Sequence, residues 1–281
     1  MDQGPLLSSG SDLAEAPRHA YATRRIGRVN WLGLWMLYRK EVRRFWKVGT
    51  QTVAAPVVTT LLFMAIFTLA LGGGARMVGN LPFPVFLAPG LVMMAIIQNA
   101  FANTSSSLMI AKVQGNIVDV LLPPFSAGEL TLAYAMGGAT RGILVGTAVW
   151  FVLSFLVDIH IQHLGVILYF GFSAALMLSL VGILTGIWAD KFDHTAAITN
   201  FVITPLSLLS GTFYTIDKLP GIWYSASHFN PFFYLIDGFR YGFIDKADAP
   251  IMTGVLAVGA VNLFLWLLSY YVFKSGYKLR A

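Results

Sequence analysis

The chain reads as an all-α integral membrane protein of six transmembrane helices, and three observations predict this. Hydrophobic residues make up 57% of the 281 positions and charged ones 11%, against about 25% charged in a soluble domain. The apolar stretches are continuous and reach the ~20 residues that a helix needs to cross a bilayer. They lack the ten-residue alternation of a membrane β-barrel. Positive charge is distributed unevenly between the connections, as the positive-inside rule describes.

Taken in order, residues 1–28 mix Gly, Pro, Ser and scattered charge and are expected to be a disordered cytoplasmic N-terminus. They are polar for about 25 residues with no short apolar core behind them, unlike a signal peptide. Residues 29–48 form an amphipathic segment. Trp31, Leu34, Trp35, Tyr38 and Val42 recur at three- and four-residue spacing, and Arg39, Lys40, Arg43, Arg44 and Lys47 supply charge. This pattern predicts an N-terminal interfacial helix lying in the headgroup zone; contact with a cytoplasmic partner is the rival reading.

Residues 49–281 hold the spans. They are read as 50–71, 84–108, 130–157, 161–188, 196–213 and 251–273, with flexible Gly72-Gly73-Gly74 after the first and Asp193 as N-cap before the fifth. With six spans both termini share a side. That side carries nine Lys or Arg before Thr50, then Lys112, Lys191, Lys274, Lys278 and Arg280, against Arg76, Lys218, Arg240 and Lys246 opposite. Both termini are therefore expected in the cytoplasm. So is the polar, helix-capable stretch Lys112–Glu129 between spans two and three. Gly115 and Asn116 offer its start and Pro123-Pro124 its stop. Ile117 and Leu121 share a face, roughly opposite Asn116 and Asp119. Ser126 and Glu129 form a capping box for the next helix.

Between spans five and six, Leu219-Pro220 and Asn230-Pro231 each open a short helix. The connection is too aromatic for a free loop. Two short re-entrant helices would satisfy their backbone groups inside the outer leaflet and form an external gate or a passive lid. Asp237 and Arg240, three apart, are placed to pair on one helical face.

Arg141 interrupts the third run. If the core of that span begins near Ile143, Arg141 sits at the inner-leaflet boundary, held by headgroups or Glu129; the alternative is a functional cation deep in the span. Gly138, Gly142 and Gly146, like Gly182 and Gly186, form small-residue stripes that permit close helix approach, either within the subunit or at a dimer seam.

No catalytic constellation stands out. His160 and His163 sit at a span boundary beside Asp158, and are read as interfacial polar residues rather than a metal site. Asp190, Asp193 and His194 fit capping and solvation. There is no cysteine, hence no disulfide or thiolate site. No Gly-x-x-x-x-Gly-Lys-Ser/Thr phosphate loop occurs, and the span centres contain no Asp or Glu to act as an ion relay. If the chain moves something, energy is expected to enter from outside it. The competing readings are a self-contained ion-coupled secondary transporter and a membrane enzyme acting on lipid.

Four stretches are recognisable in order: Phe86-Leu-Ala-Pro-Gly-Leu-Val-Met-Met94, Asn116-Ile-Val-Asp-Val-Leu-Leu-Pro-Pro124, Asn200-Phe-Val-Ile-Thr-Pro-Leu206 with Ser210-Gly-Thr-Phe-Tyr214, and Asn230-Pro231 through Gly238-Phe-Arg-Tyr-Gly242. From about Val29 onward the chain resembles the membrane-spanning permease of type-2 ATP-binding-cassette (ABC) exporters, the bacterial group for drugs, polysaccharides and nodulation factors. The resemblance implies an inner-membrane half-transporter that pairs with a second permease, as a homodimer, and with two separate ATPase subunits. ATP and magnesium would be bound there and no cofactor by this chain. The cargo would be hydrophobic, amphiphilic or glycan-type. The resemblance also implies a coupling helix carrying Gly115, Asn116, Ile117, Asp119, Leu121 and Leu122, assisted by Arg39 and Arg43 of the connecting helix, with Ile117 and Leu121 as docking candidates. An extracellular gate would carry Asn230, Pro231, Tyr234, Asp237 and Arg240. A substrate path along spans two and five would carry Asn99, Asn103 and Thr104.

Overall fold

The computed structural model describes residues 27–70, 77–78, 80–216 and 220–279. The expectations for residues 1–26, for Gly72–Gly74, and for Arg76, Lys218, Leu219 and Arg280 lie outside them. The described residues are almost wholly helical. They run α1 (Trp31–Trp46), α2 (Gly49–Ala70), a two-residue hairpin pair β1 (Met77–Val78) and β2 (Leu81–Pro82), then α3 (Phe83–Val113), α4 (Ile117–Leu121), α5 (Ala127–Leu153) and α6 (Leu164–Trp188). They continue through α7 (Phe192–Ile198), α8 (Thr204–Leu209), α9 (Gly221–Phe229), α10 (Pro231–Ile244) and α11 (Ile251–Ser275). The strands pair antiparallel, Met77 with Pro82 and Val78 with Leu81.

Among the described residues five helices are long and apolar enough to cross a membrane: α2, α3, α5, α6 and α11. The expected fifth span is not one of them. It is a composite of α7, a π-helical turn over Thr199–Ile203, and α8. Pro205 accounts for the break. It has no N–H to donate, and its ring crowds the carbonyl of Phe201; one wide π turn just ahead absorbs both effects. The composite still carries the chain from one end of the bundle to the other. Asp190, just before it, pairs with Lys112 at the end of α3. Thr212, just after it, lies against Gly90 near the start of α3. Its helix opens at Phe192 with Lys191 at the cap position, so Asp193 lies in the first turn and is not the N-cap.

The bundle is built around α3, which is buried along most of its length. It packs chiefly on α6 and α5, and the glycine stripes make that approach possible. A Cβ on Gly142 would stand 2.9 Å from the Ala100 Cβ and 2.9 Å from the Ile96 carbonyl, and one on Gly186 would stand 2.9 Å from the Leu108 Cβ. Gly138 and Gly182 meet Thr104 in the same way. Both stripes are therefore seams within one subunit. At the other end Gly90, next to Pro89, leaves room for the Thr212 backbone, whose carbonyl would be 3.0 Å from a Cβ there.

The third span is α5, and it covers Ala127–Leu153 rather than 130–157. Arg141 thus lies about 21 Å from one end of α5 and about 18 Å from the other, at 1.5 Å per residue. The expected hold by Glu129 is corrected: Arg141 bonds Asn99, while the Glu129 carboxylate is taken up by the Asn30 and Ser126 N–H groups. The capping box starts the helix at Ala127, well before Ile143, so Arg141 falls mid-helix and bonds to α3 instead.

Replacing Gly142 by Val should destabilise the protein by roughly 1–3 kcal/mol through overpacking, read as a lower unfolding temperature in detergent. Gly165→Ala is the control. Its added carbon meets nothing within 4 Å, so its unfolding temperature should be unchanged or slightly raised.

Candidate functional site

Two regions gather the residues that the sequence marks: the α4 segment at one end of the bundle and the α10 region at the other.

The α4 segment begins where α3 ends. Gly115 turns the chain with φ +74°, a left-handed conformation that suits glycine. Asn116 precedes α4, but its side chain makes no capping bond and its amide donates to Gln114 Oε1 at 3.3 Å instead. Pro123 and Pro124 follow the end of α4. Ser126 and Glu129 then form the expected capping box, and both of its bonds are present. Glu129 does more than cap. One carboxylate oxygen accepts from the Ser126 N–H and the other from the Asn30 N–H at the start of α1, which ties α1 to α5.

The faces of α4 differ from the sequence expectation. Ile117 and Leu121 turn inward against an apolar cluster that includes Leu37, Tyr134 and Phe273, and Val120 between them is 3% exposed. Val118 is 52% and Leu122 75% exposed, and Asp119 also faces outward. The free face is therefore Val118, Asp119 and Leu122. Ile117 and Leu121 do not form it, because a five-residue helix between two bundle helices needs its apolar face to stay anchored. Arg39 and Arg43 are exposed on α1.

Two lysines brace this end. Lys112 Nζ donates to the Ile187 and Ala189 carbonyls at 2.7 and 2.6 Å, and Lys278 Nζ donates to the Trp188 carbonyl at 2.9 Å and to Asp190 at 2.7 Å. Cations at the last carbonyls of α6 complement its dipole. The Lys278 hydrogen bond, with a smaller contribution from Lys112, holds the Asp190 carboxyl below the usual carboxylate range, and Asp190 in turn raises Lys278. The tie is complete above the ordinary carboxylate pKa and weakens as pH falls through the depressed one.

Helix α1 is more than an interfacial helix. Its exposed side carries Trp31 and Trp35 as expected, but Leu34, Tyr38 and Val42 are half-buried, and the buried line is Leu37, Glu41 and Phe45. Glu41 is 0% exposed and accepts from the Ser107 hydroxyl at 2.8 Å. Arg44 lies 3.4 Å from Glu41 and donates to the Asn103 side chain at 2.9 Å and to the Asn103 carbonyl at 2.6 Å. The sequence reading passed over this pair. A signal was there: Glu41 is the one acid in a basic helix, and it shares the four-residue spacing of Leu37 and Phe45.

The proposed path residues separate. Asn103 is bonded to Arg44, and Thr104 donates to the Ser179 carbonyl of α6 at 2.9 Å. Both are fully buried, so their polar groups serve helix packing rather than an open path. Asn99 does line a cavity between α2 and α3, with Gln98, Thr59 and Thr60.

At the opposite end α10 acts as a strap. Asn230 caps it through the Phe232 N–H at 3.1 Å, with Pro231 in the first turn, and its amide donates to Ser210 Oγ at 2.8 Å. Arg240 donates to the Gly211 carbonyl at 2.6 Å and lies 4.0 Å over the Phe86 ring. Asp237 accepts from the Asp248 and Ala249 N–H groups at 2.9 and 3.1 Å. The expected Asp237–Arg240 pair is therefore replaced. Each residue reaches to a different neighbouring segment, because the backbone groups there would otherwise go unpaired. Tyr234 packs toward Gly254 of α11. In contrast to α10, α9 is largely exposed, with Phe229 at 89%. His163 bonds Asp245 at 2.9 Å, and exposed His160 bonds Asp158 at 3.0 Å. No group of three or more metal-ligating side chains forms among the described residues.

Gln at position 129 keeps one acceptor oxygen where Glu has two. Glu129→Gln should therefore free either the Asn30 or the Ser126 N–H at a cost of about 1 kcal/mol, seen as faster amide hydrogen exchange at the start of α1 or α5.

Comparison with known proteins agrees with this architecture. Residues 33–244 match the family model of the ABC-2 type transporter. The chain is 37% identical over 237 residues to the inner membrane transport permease YadH of Escherichia coli K12, covering 84% of this chain and 93% of YadH. It is 25% identical over 252 residues to nodulation protein J of Rhizobium leguminosarum bv. viciae, covering 87% and 94%, and 24% identical over 246 residues to that of Neorhizobium galegae, covering 85% and 89%. With its packed apolar helices and a family match over most of its length, the chain belongs to the ABC-2 type transporter family, as a multi-pass membrane subunit of a transporter.

Proposed function

We propose that this chain is the permease half of an ATP-driven exporter in the bacterial inner membrane, working as a homodimer with two separate ATPase subunits. ATP and magnesium act on those partners, and this chain binds no cofactor. Both termini and α4 face the cytoplasm. Placement of α1, α4 and the end of α11 at one end of the bundle supports this orientation, together with the excess of Lys and Arg there.

The observation that carries the reading is the outward face of α4. A short helix whose inner side chains are anchored in the bundle, and whose outer face presents Val118, Asp119 and Leu122, suits docking to another protein. Exposed apolar groups next to a charge give both affinity and register. Force on α4 passes to α3 through Gly115, to α5 through the capping box, and to α1 through Glu129. ATP binding then moves α3 and α5 relative to the second permease. Asn230 and Arg240 fasten α10 over the exit from α8, where they form an extracellular gate. The cargo is hydrophobic, amphiphilic or glycan-type, and leaves the cytoplasm along α2, α3 and the α7–α8 composite.

Asp119→Lys combined with Leu122→Asp should abolish co-purification of the ATPase and ATP-driven transport while leaving the unfolding temperature unchanged, because both side chains are exposed. Leu121→Asp should instead lower the unfolding temperature, because its side chain packs inward. Unchanged ATPase association in the double variant would show that α4 is not the docking helix.

A further inference from the structure

Helix α1 gives way to α2 at a tight corner that carries Lys47. The membrane-length stretch of α2 begins at Gly49, so this corner stands at a membrane surface, at the level of the lipid headgroups. A groove of about 1060 Å³ opens there between the corner and α5. Phe45, Trp46, Lys47 and Thr50 line it on the corner side. On the other side α5 lines it from Thr140 to Phe151, a rise of about 16 Å at ~1.5 Å per residue. At the Thr140 end the Tyr38 hydroxyl meets Thr140 Oγ1 at 3.0 Å and joins α1 to α5.

Lys47 is the one charged residue that lines this groove, and no acid lines it. It is exposed, and among the described residues its ammonium group makes no ion pair. Lys112 and Lys278 differ from it in this respect, since both are spent on Asp190 and on the last carbonyls of α6. Arg43, one turn earlier on α1, is also exposed. The charge at the mouth of the groove is therefore positive and unanswered by the lining residues. Trp46 beside it is a residue type that favours the headgroup zone.

Beyond its mouth the groove is apolar. Ile143, Thr147 and Trp150 share one face of α5, and the same three residues line a second cavity of about 380 Å³ together with Leu164 and Phe239. The apolar space thus continues along α5 past the first groove. A void in this position forfeits dispersion contacts along its whole lining, and apolar voids do not hold water. At membrane depth hydrocarbon fills it. The rise of α5 along the groove is close to half of the ~30 Å hydrocarbon core, the depth that one acyl chain spans from its headgroup.

We propose that the groove between the α1–α2 corner and α5 seats one acidic phospholipid, with its anionic head on Lys47 and Thr50 and an acyl chain along α5 toward Trp150. This is a single seat with headgroup selectivity, beyond the general contact of an amphipathic helix with lipid. It is defined by the geometry of this chain, so it stands whichever side of the membrane the corner faces.

The test is native mass spectrometry of the full-length permease in detergent, with dioleoylphosphatidylglycerol as probe and dioleoylphosphatidylethanolamine as control. One molecule of the acidic lipid should be retained per permease, with affinity about fivefold above that of the control, as expected for one cation near the membrane surface. Lys47→Glu should remove this preference and Lys47→Arg should keep it. Lys40→Glu makes the same change of charge at an exposed α1 residue that does not line the groove, and should also keep it. Ala148→Trp fills the groove and should lose both lipids. A Lys40→Glu variant that loses the preference as fully as Lys47→Glu would show a diffuse surface charge and overturn the proposal. So would an Ala148→Trp variant that retains the acidic lipid. If that variant instead loses self-association while its lipid count is unchanged, a second copy of the chain covers the groove, and the proposal is overturned likewise. The Lys47 and Lys40 variants decide the question by themselves if Ala148→Trp does not fold.

Discussion

Everything in this bundle depends on how closely α5 and α6 approach α3. Apolar helices in a membrane gain little from leaving lipid, so packing distance and buried hydrogen bonds hold them together. Glycine at 138, 142 and 146 of α5, and at 182 and 186 of α6, brings both backbones against Ile96 through Leu108 of α3. At that distance Thr104 reaches the Ser179 carbonyl and Arg141 reaches Asn99. Bulkier residues on the stripes would separate the helices and break these links. The three helices therefore move as a unit, and flexibility is left to the segments at their ends.

Those end segments are tied in contrasting ways. At the α4 end the ties run through charged side chains: Lys112 and Lys278, partly open to solvent, on the carbonyls of α6, and the buried Glu129 across Ser126 and Asn30. Several of these groups are half-exposed, where charge pairs are individually weak, so the end is held by many replaceable contacts. At the α10 end Arg240, Asn230 and Asp237 are buried; Arg240 and Asp237 bind main-chain groups of the turn after α8 and of the loop before α11, and Asn230 donates to the Ser210 hydroxyl. Breaking one of these leaves a buried group unpaired and costs more. A transporter that receives force at one end and releases cargo at the other would use such a difference, with a yielding input and a firm exit.

Polar residues inside the bundle form a line on α3, from Ser107 and Asn103, met by Glu41 and Arg44 of α1, to Asn99, met by Arg141 of α5. Helix α1 thus serves two surfaces at once. Trp31 and Trp35 face outward, while Glu41 is seated against the innermost helix. A change in the position of α1 is felt directly at α3.

Much of this was legible in the sequence. Apolar run length defined the long helices to within a few residues, because a backbone in lipid must satisfy its own hydrogen bonds and a helix does so locally. Local chemistry also marked the capping box at Ser126 and Glu129, the Asn230-Pro231 start of α10, and the stop at Pro123-Pro124. What the sequence could not decide were choices between partners distant along the chain. Ile117 and Leu121 share a face, but only the packed α1 and α11 show that this face turns inward. Asp237 and Arg240 have the spacing of a pair, yet nearby unpaired main-chain groups claim both. For Arg141 the expected hold is headgroups or Glu129, yet Asn99 of α3 takes its guanidinium, and nothing local to Glu41 named its partners Ser107 and Arg44. In each case periodicity names the residues that share a face, and the tertiary structure decides what that face meets, because burial and charge pairing are set by neighbours that lie far away in the chain.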